Sequence, residues 1–256
     1  MIKYFIYIIF FFFFSCKKEE GCMDPIAINY NSNASVESGD CSYSPISINI
    51  NFSQTVNQEP LVLNEMIYTN EANDNFSVQT VRYLISNIFL HAPDTSILVK
   101  KVHFIDINNP QSSSILINEL IDKEYTEISF TMGLVENDNQ TNLFLNESFF
   151  PSFVWPEFLG GGYHYMQLEG DYNNQFLGYA THTGPTNGTD YSFTKYFNLG
   201  AKIVDESVIT IIMEINNWYS NPNIVNLYDG IMDNSNIQLL LKENGITDVF
   251  TIDVSK

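Results

Sequence analysis

Two of the chain's four histidines, His164 and His182, stand 18 residues apart, with one of its two tryptophans, Trp155, shortly upstream. Neutral imidazole is a donor that suits copper and zinc. Met166 adds a thioether of the kind that favours Cu(I), and Glu169 adds a carboxylate able to orient a ligand imidazole from behind. Between Trp155 and His164 lies the triplet Gly160, Gly161 and Gly162. Consecutive glycines cost backbone entropy and belong where a chain takes positive φ or brings its backbone close to something else. The chemistry this window could support is a metal centre.

Positioning such a centre requires two strands. Residues Tyr163 to Leu168 alternate in polarity, which predicts a strand with His164, Met166 and Leu168 on one face and Tyr163, Tyr165 and Gln167 on the other. Residues Gly178 to Thr183 predict a second strand, and a turn near Asn173 and Asn174 would join the two as a hairpin. His164 and His182 then face each other, provided the register holds, because a one-residue slip turns one of them away. His103, in the run VKKVHFIDI, and His91 are the remaining histidines from which a third ligand could come. Each of these residues also has a plainer reading. His182 fits a hydrogen-bonded strand position, Met166 core filling, Trp155 a large anchor before Pro156, and Glu169 a solvated turn.

Beyond this window, period two dominates. Ile46, Ile48, Ile50 and Phe52 alternate with Ser47, Asn49 and Asn51. Further strand-like runs are Leu61 to Tyr68, Phe76 to Leu90 with a break near Ser86-Asn87, Ile97 to Ile107, Ile128 to Leu134, Ser192 to Leu199, Val208 to Ile215 and Val249 to Val254. A single helix is expected, capped by Asp233 or Ser235, running through Ile237, Leu240 and Leu241 to Asn244, and closed by Gly245. No repeat interrupts residues 45–256. The expected fold class is all-β: one antiparallel β-sandwich with one short C-terminal helix.

Charge and catalytic motifs narrow the function. Thirty acidic residues against 11 basic ones give a net charge of -19, which repels phosphate backbones and excludes nucleic acid as a partner. The chain has no phosphate loop, nucleophile elbow or His-Glu-x-x-His helix, so it is not expected to be an enzyme.

Residues Tyr4 to Phe14 form an apolar run of 11, too short to span a bilayer, which takes about 20. The run ends in Phe14-Ser15-Cys16, which resembles a lipobox. Residues 1–15 then read as a lipoprotein signal peptide and Cys16 as the acylated anchor in the membrane. The following Lys17-Lys18-Glu19-Glu20 resembles the charged signal that sends some lipoproteins to the outer face of the outer membrane; a periplasm-facing position is the other choice. In an oxidising compartment Cys22 and Cys41 are expected to pair, stapling a metal-free tether over residues 16–44.

Several phrases in order resemble one family: Tyr83-Leu84-Ile85-Ser86-Asn87-Ile88, Ile128-Ser129-Phe130-Thr131-Met132-Gly133, Trp155-Pro156 before Gly161-Gly162-Tyr163, and His182-Thr183-Gly184. Together they are similar to the MbnP-like copper-binding proteins, in their Bacteroidetes lipoprotein branch. The resemblance implies an exported β-sandwich that binds copper, with Cu(I) favoured by two imidazoles. In better-known relatives a tryptophan is oxidised to kynurenine by a partner di-haem peroxidase and histidines complete the site. By that resemblance His182 is a ligand and Trp155 the modified or site aromatic, while His164 is the second ligand by its strand position. His103, Met166 and Glu169 are possible further or outer ligands. The second tryptophan of the familiar pattern is replaced by Glu157. The rival reading is a metal-free surface module in which Trp155, Tyr163 and Tyr165 form an aromatic platform for glycan or protein.

Overall fold

The computed structural model describes residues 18–173 and 177–256, so Cys16 and the signal-peptide reading of residues 1–15 lie outside the described residues. The chain divides into two compact units, Met1–Pro45 and Ile46–Lys256.

In the first unit, Glu20–Gly21 pairs in parallel with Val36–Glu37, and a disulfide joins Cys22 to Cys41. Asparagines hold the turns of the loop. Asn29 accepts from the Ser42 amide and donates to the Asp40 carbonyl, while Asn31 accepts from the Asn33 amide.

Among the described residues ten longer strands run from Pro45 onward: β1 (Pro45–Val56), β2 (Thr80–Ala92), β3 (Thr95–Asp106), β4 (Ser114–Ile121), β5 (Glu127–Met132), β6 (Met166–Tyr172), β7 (Leu177–Thr183), β8 (Phe193–Asn198), β9 (Val208–Glu214) and β10 (Phe250–Ser255). A helix, α1 (Ser235–Asn244), precedes β10. One sheet runs β8-β5-β2-β6 and continues through the short strands Asn75–Phe76 and Tyr68–Thr69; β3 adds to β2, and β7 adds to β6. The other runs β10-β9-β1, with β4 also on β1. Pairing is antiparallel in the larger sheet, but β9 runs parallel to β1.

The alternation seen in the sequence packs the two sheets face to face. Ile48, Ile50 and Phe52 of β1 and Ile209, Ile211 and Met213 of β9 meet Val81, Tyr83 and Ile85 of β2, Phe130 of β5, and Met166 and Leu168 of β6. All are essentially buried, and each such side chain contributes roughly 1.5–3 kcal/mol. Polar links also cross the layers: Gln54 donates to the Tyr83 hydroxyl at 2.9 Å.

Three sequence expectations need correction. Residues 61–67 form no strand, and only Tyr68–Thr69 pairs; the tight turn at Asn64, with φ 64°, interrupts the run. The break near Ser86-Asn87 is a bulge inside one continuous strand, where Asn87 takes φ 50° and both neighbouring ladders shift register. Gly245 is right-handed and leads into a further helical turn, Gly245–Val249; its missing Cβ makes room for Phe193, whose Cζ would lie 2.4 Å from it. Strand β4 had no clear alternation and was not expected.

The larger sheet's outer face is covered by the excursion between β5 and β6, residues 133–165. A second apolar cluster forms beneath it from Leu84, Leu134, Phe149, Phe153, Tyr163, Tyr165 and Tyr191. The tryptophan and both histidines of interest lie on this side.

Candidate metal centre

The excursion returns to the sheet through a short antiparallel ladder. The Trp155 amide donates to Gly162 O, and the His164 amide donates to Phe153 O, both at 2.9 Å. The glycine triplet makes this return possible. Gly160, Gly161 and Gly162 take φ of 125°, 70° and 86°, and a Cβ on Gly162 would lie 2.6 Å from Asn139 Oδ1. Asn139 uses that proximity to bracket Tyr163, accepting from its amide at 2.7 Å and donating to its carbonyl at 3.2 Å.

His164 has its imidazole fixed by the same ladder. Its Nδ1 lies 3.1 Å from Phe153 O. A carbonyl can only accept, so Nδ1 carries the proton and Nε2 is left with its lone pair. That Nε2 is buried and has no partner, an uncommon state for a buried polar atom. Burial, with His182 acting in the same direction, pushes the His164 pKa down to about 4, so the ring is neutral at pH 7.

His182 reaches the cluster from β7. In register it sits opposite Gln167, and its Nε2 donates to Glu169 Oε1 on the diagonal at 2.7 Å. In the neutral ring Nδ1 is then the nitrogen that keeps its lone pair. The bond from His182, helped by Arg82, holds the Glu169 carboxyl below its usual range despite partial burial. The two imidazoles lie with centroids 5.1 Å apart and planes at 81°, and the Trp155 ring stands edge-on to His164 at 4.7 Å.

This convergence differs from the sequence expectation. Since His182 is opposite Gln167, strict alternation would put His164 with Met166 on the other side of the sheet. A bend at Tyr165 breaks the alternation, and β6 begins only at Met166. Met166 follows Leu168 into the inter-sheet core and is directed away from His182. His103 is separate as well: its Nε2 bonds to the Ser112 carbonyl at 2.7 Å, and its ring stacks on Phe52 of the opposite sheet. His91 bridges the hydroxyls of Ser96 and Ser129. Glu157 is exposed in the 3-10 turn Glu157–Leu159. Among the described residues no third His, Cys, Asp or Glu atom gathers tightly with the two histidines; the one close trio is Cys22, Glu37 and Cys41, whose sulfurs are already bonded to each other.

The motif glycine after His182 has a steric reason. A Cβ on Gly184 would lie 2.6 Å from Trp155 Cε3, so the indole rests on that backbone. The Trp155 Nε1 is a second buried polar atom without a partner. One contributor escaped sequence reading: Gln238 of α1, almost fully buried, which bonds to the backbone of His182 and Gly184. An apolar helix face with one glutamine gives no signal of such a role.

The donor set suits a soft, low-coordinate cation: one neutral imidazole with an orphan lone pair, a second imidazole backed by a carboxylate, and an aromatic wall. The aromatic-platform reading fails on burial. Trp155 and Tyr163 are 0% exposed and Tyr165 2%, so none presents a face to a glycan or protein.

Comparison with known proteins agrees with this architecture. A family model described as MbnP matches residues 45–234. Among solved structures, MbnP from Methylosinus trichosporium superposes with a TM-score of 0.54 at 11% sequence identity, over 83% of this chain and 99% of that one. At that identity the likeness speaks for the fold. No curated protein matches the sequence.

Proposed function

The chain belongs to the MbnP family, and from that premise we propose that it is an exported, lipid-anchored copper-binding protein that holds Cu(I) between His164 Nε2 and His182 Nδ1. The observation that carries the reading is the buried, unpartnered Nε2 of His164 beside a second imidazole already oriented by Glu169. An orphan lone pair in a dry site is costly unless something binds it, and two imidazoles satisfy Cu(I) without a third ligand.

Each residue has a separate part. Phe153 O fixes the His164 tautomer, Glu169 fixes that of His182, and the excursion over the sheet excludes water. Trp155 walls the centre and is the aromatic that a di-haem peroxidase partner would modify, as the family resemblance implies. Copper, when bound, supplies a redox-capable cation; the protein supplies a neutral, desolvated and pre-oriented pair of nitrogens. The acidic surface raises the local concentration of cations without selecting among them. Cys16 supplies the membrane anchor, at the outer membrane or cell surface.

Titration of the folded chain with Cu(I) against a chromophoric chelator tests the centre. One equivalent should bind tightly, and His164→Ala and His182→Ala should each lose most of the affinity. No stoichiometric binding, or unchanged binding in both variants, would overturn the proposal.

A further inference from the structure

The segment that follows β7 does more than end a strand: it carries His182, the seat of Trp155 at Gly184, and then a turn through Thr186 and Asn187. Four side-chain hydrogen bonds join it to residues 232–238. Gln238 Nε2 donates to His182 O at 2.9 Å, and Gln238 Oε1 accepts from the Gly184 amide at 3.3 Å. Thr186 Oγ1 donates to Met232 O at 2.9 Å, and Asn187 Nδ2 donates to Ser235 Oγ at 3.0 Å. On the other side, the Asn187 amide donates to Leu159 O, in the turn that follows Trp155.

Gln238 is 1% exposed, and its amide is used on both sides. Its second donor goes to Ile231 O at 3.1 Å, in the turn before the helix. The helix is placed independently at each end. Asn234 caps its N-terminus by accepting from the Asn236 and Ile237 amides, and Asn244 donates to Trp218 O and Asn223 O. The N-terminal end, where Asn234 O accepts from the Gln238 amide at 3.0 Å, gives Gln238 a fixed point from which to grip the backbone on both sides of Thr183.

We infer that α1 is a positioning element of the copper centre and that Gln238, outside the residues the family model matches, sets where His182 and Trp155 sit relative to His164. The inference rests on the copper-site reading for its functional meaning, but the positioning is a property of the metal-free chain. His182 has its ring held by the strand register and Glu169, and its backbone is tied to the His164 side by the Tyr165 amide, which donates to Thr183 O at 2.7 Å. The two Gln238 bonds to residues 182 and 184 grip the same stretch on either side of Thr183 and set its position from the helix side. Gly184 transmits it directly, because the indole lies on the backbone whose amide Gln238 accepts.

The test uses the full chain with Gln238→Leu, which keeps the side-chain bulk and removes the amide. Asn244→Ala serves as control, since it loosens the same helix from Trp218 and Asn223 without touching residues 182–184. Two measurements are made: the imidazole nitrogen and proton resonances of His182 in the metal-free protein, and Cu(I) affinity by chelator competition. Gln238→Leu is expected to shift the His182 Nε2–H resonance that reports the bond to Glu169 and to weaken Cu(I) about tenfold or more. The Asn244 variant should lower the melting temperature while leaving both readings near wild type. Unchanged His182 resonances in Gln238→Leu, or equal shifts in the two variants, overturn the inference. If Gln238→Leu does not fold, Gln238→Glu, which keeps the acceptor for Gly184 and loses the donors to His182 O and Ile231 O, gives the same two readings. Should the wild-type chain bind no copper, the function proposed above fails, while the resonances still decide whether Gln238 positions His182.

Discussion

His182 is paired in register with Gln167, yet its ring lies 5.1 Å from that of His164, a residue that the strand's own alternation would have sent to the other side of the sheet. The bend at Tyr165 and the ladder to Phe153 and Trp155 bring them together. The centre is therefore built where regular β-structure is interrupted, and its perturbation should show in ways that strand residues do not.

In the proposed copper centre Glu169 would act only through His182, to which it is bonded at 2.7 Å. Glu169→Gln preserves size but exchanges a charged acceptor for a neutral amide, so the His182 tautomer is less firmly set. Cu(I) affinity should fall roughly 10- to 100-fold, the usual effect of removing a carboxylate behind a ligand imidazole. Chelator competition measures it, and an unchanged constant would show that the register alone orients His182.

Gly184→Ala places a methyl against the indole of Trp155. Overpacking of that kind costs about 1–3 kcal/mol. Thermal unfolding should shift downward, and the Trp155 contribution to fluorescence should change. A variant with wild-type melting and emission would mean that the indole does not rest on this backbone.

The depressed pKa of His164 gives stability a definite pH dependence. Between about pH 4 and 6.5 an unfolded chain protonates this ring while the folded one does not, so the unfolded state binds more protons and stability falls as pH falls. A shift of that size corresponds to roughly 3 kcal/mol, complete only below about pH 4. Denaturant unfolding at a series of pH values should show a steeper loss in wild type than in His164→Phe. Parallel curves would show that His164 titrates normally.

The Cys22–Cys41 bond closes a loop with a sequence separation of 19. The chain-entropy model assigns such a closure about 3 kcal/mol. Reduction should therefore raise amide exchange across residues 20–41, where Glu20–Gly21 pairs with Val36–Glu37. Exchange that stays slow after reduction would place the loop's stability in its asparagine-held turns instead.

Much of the fold was legible in the chain because burial on one side of a strand writes itself as period two. Ile46 to Phe52 and Val208 to Ile215 could be assigned as strands for that reason, and both line the inter-sheet core. Strand β4 was not legible, since its alternation slips by one residue at Glu119, which takes φ 60°, and its exposed side carries Leu116 and Ile121. The glycine triplet was also readable, because positive φ at three successive positions leaves few other choices.

The sequence by itself determined the donors: two imidazoles and a tryptophan within one window, with glycines around them, in an order resembling that of the MbnP family. Only the tertiary structure decided which of these groups meet. Alternation is a local rule, and it placed Met166 beside His164; a bend after the ladder to residues 139, 153 and 155 turned His164 to the other side of the sheet while Met166 stayed with Leu168 in the core. The placement of Gln238 against His182 depends on packing between segments 56 residues apart, for which neither periodicity nor composition leaves a trace.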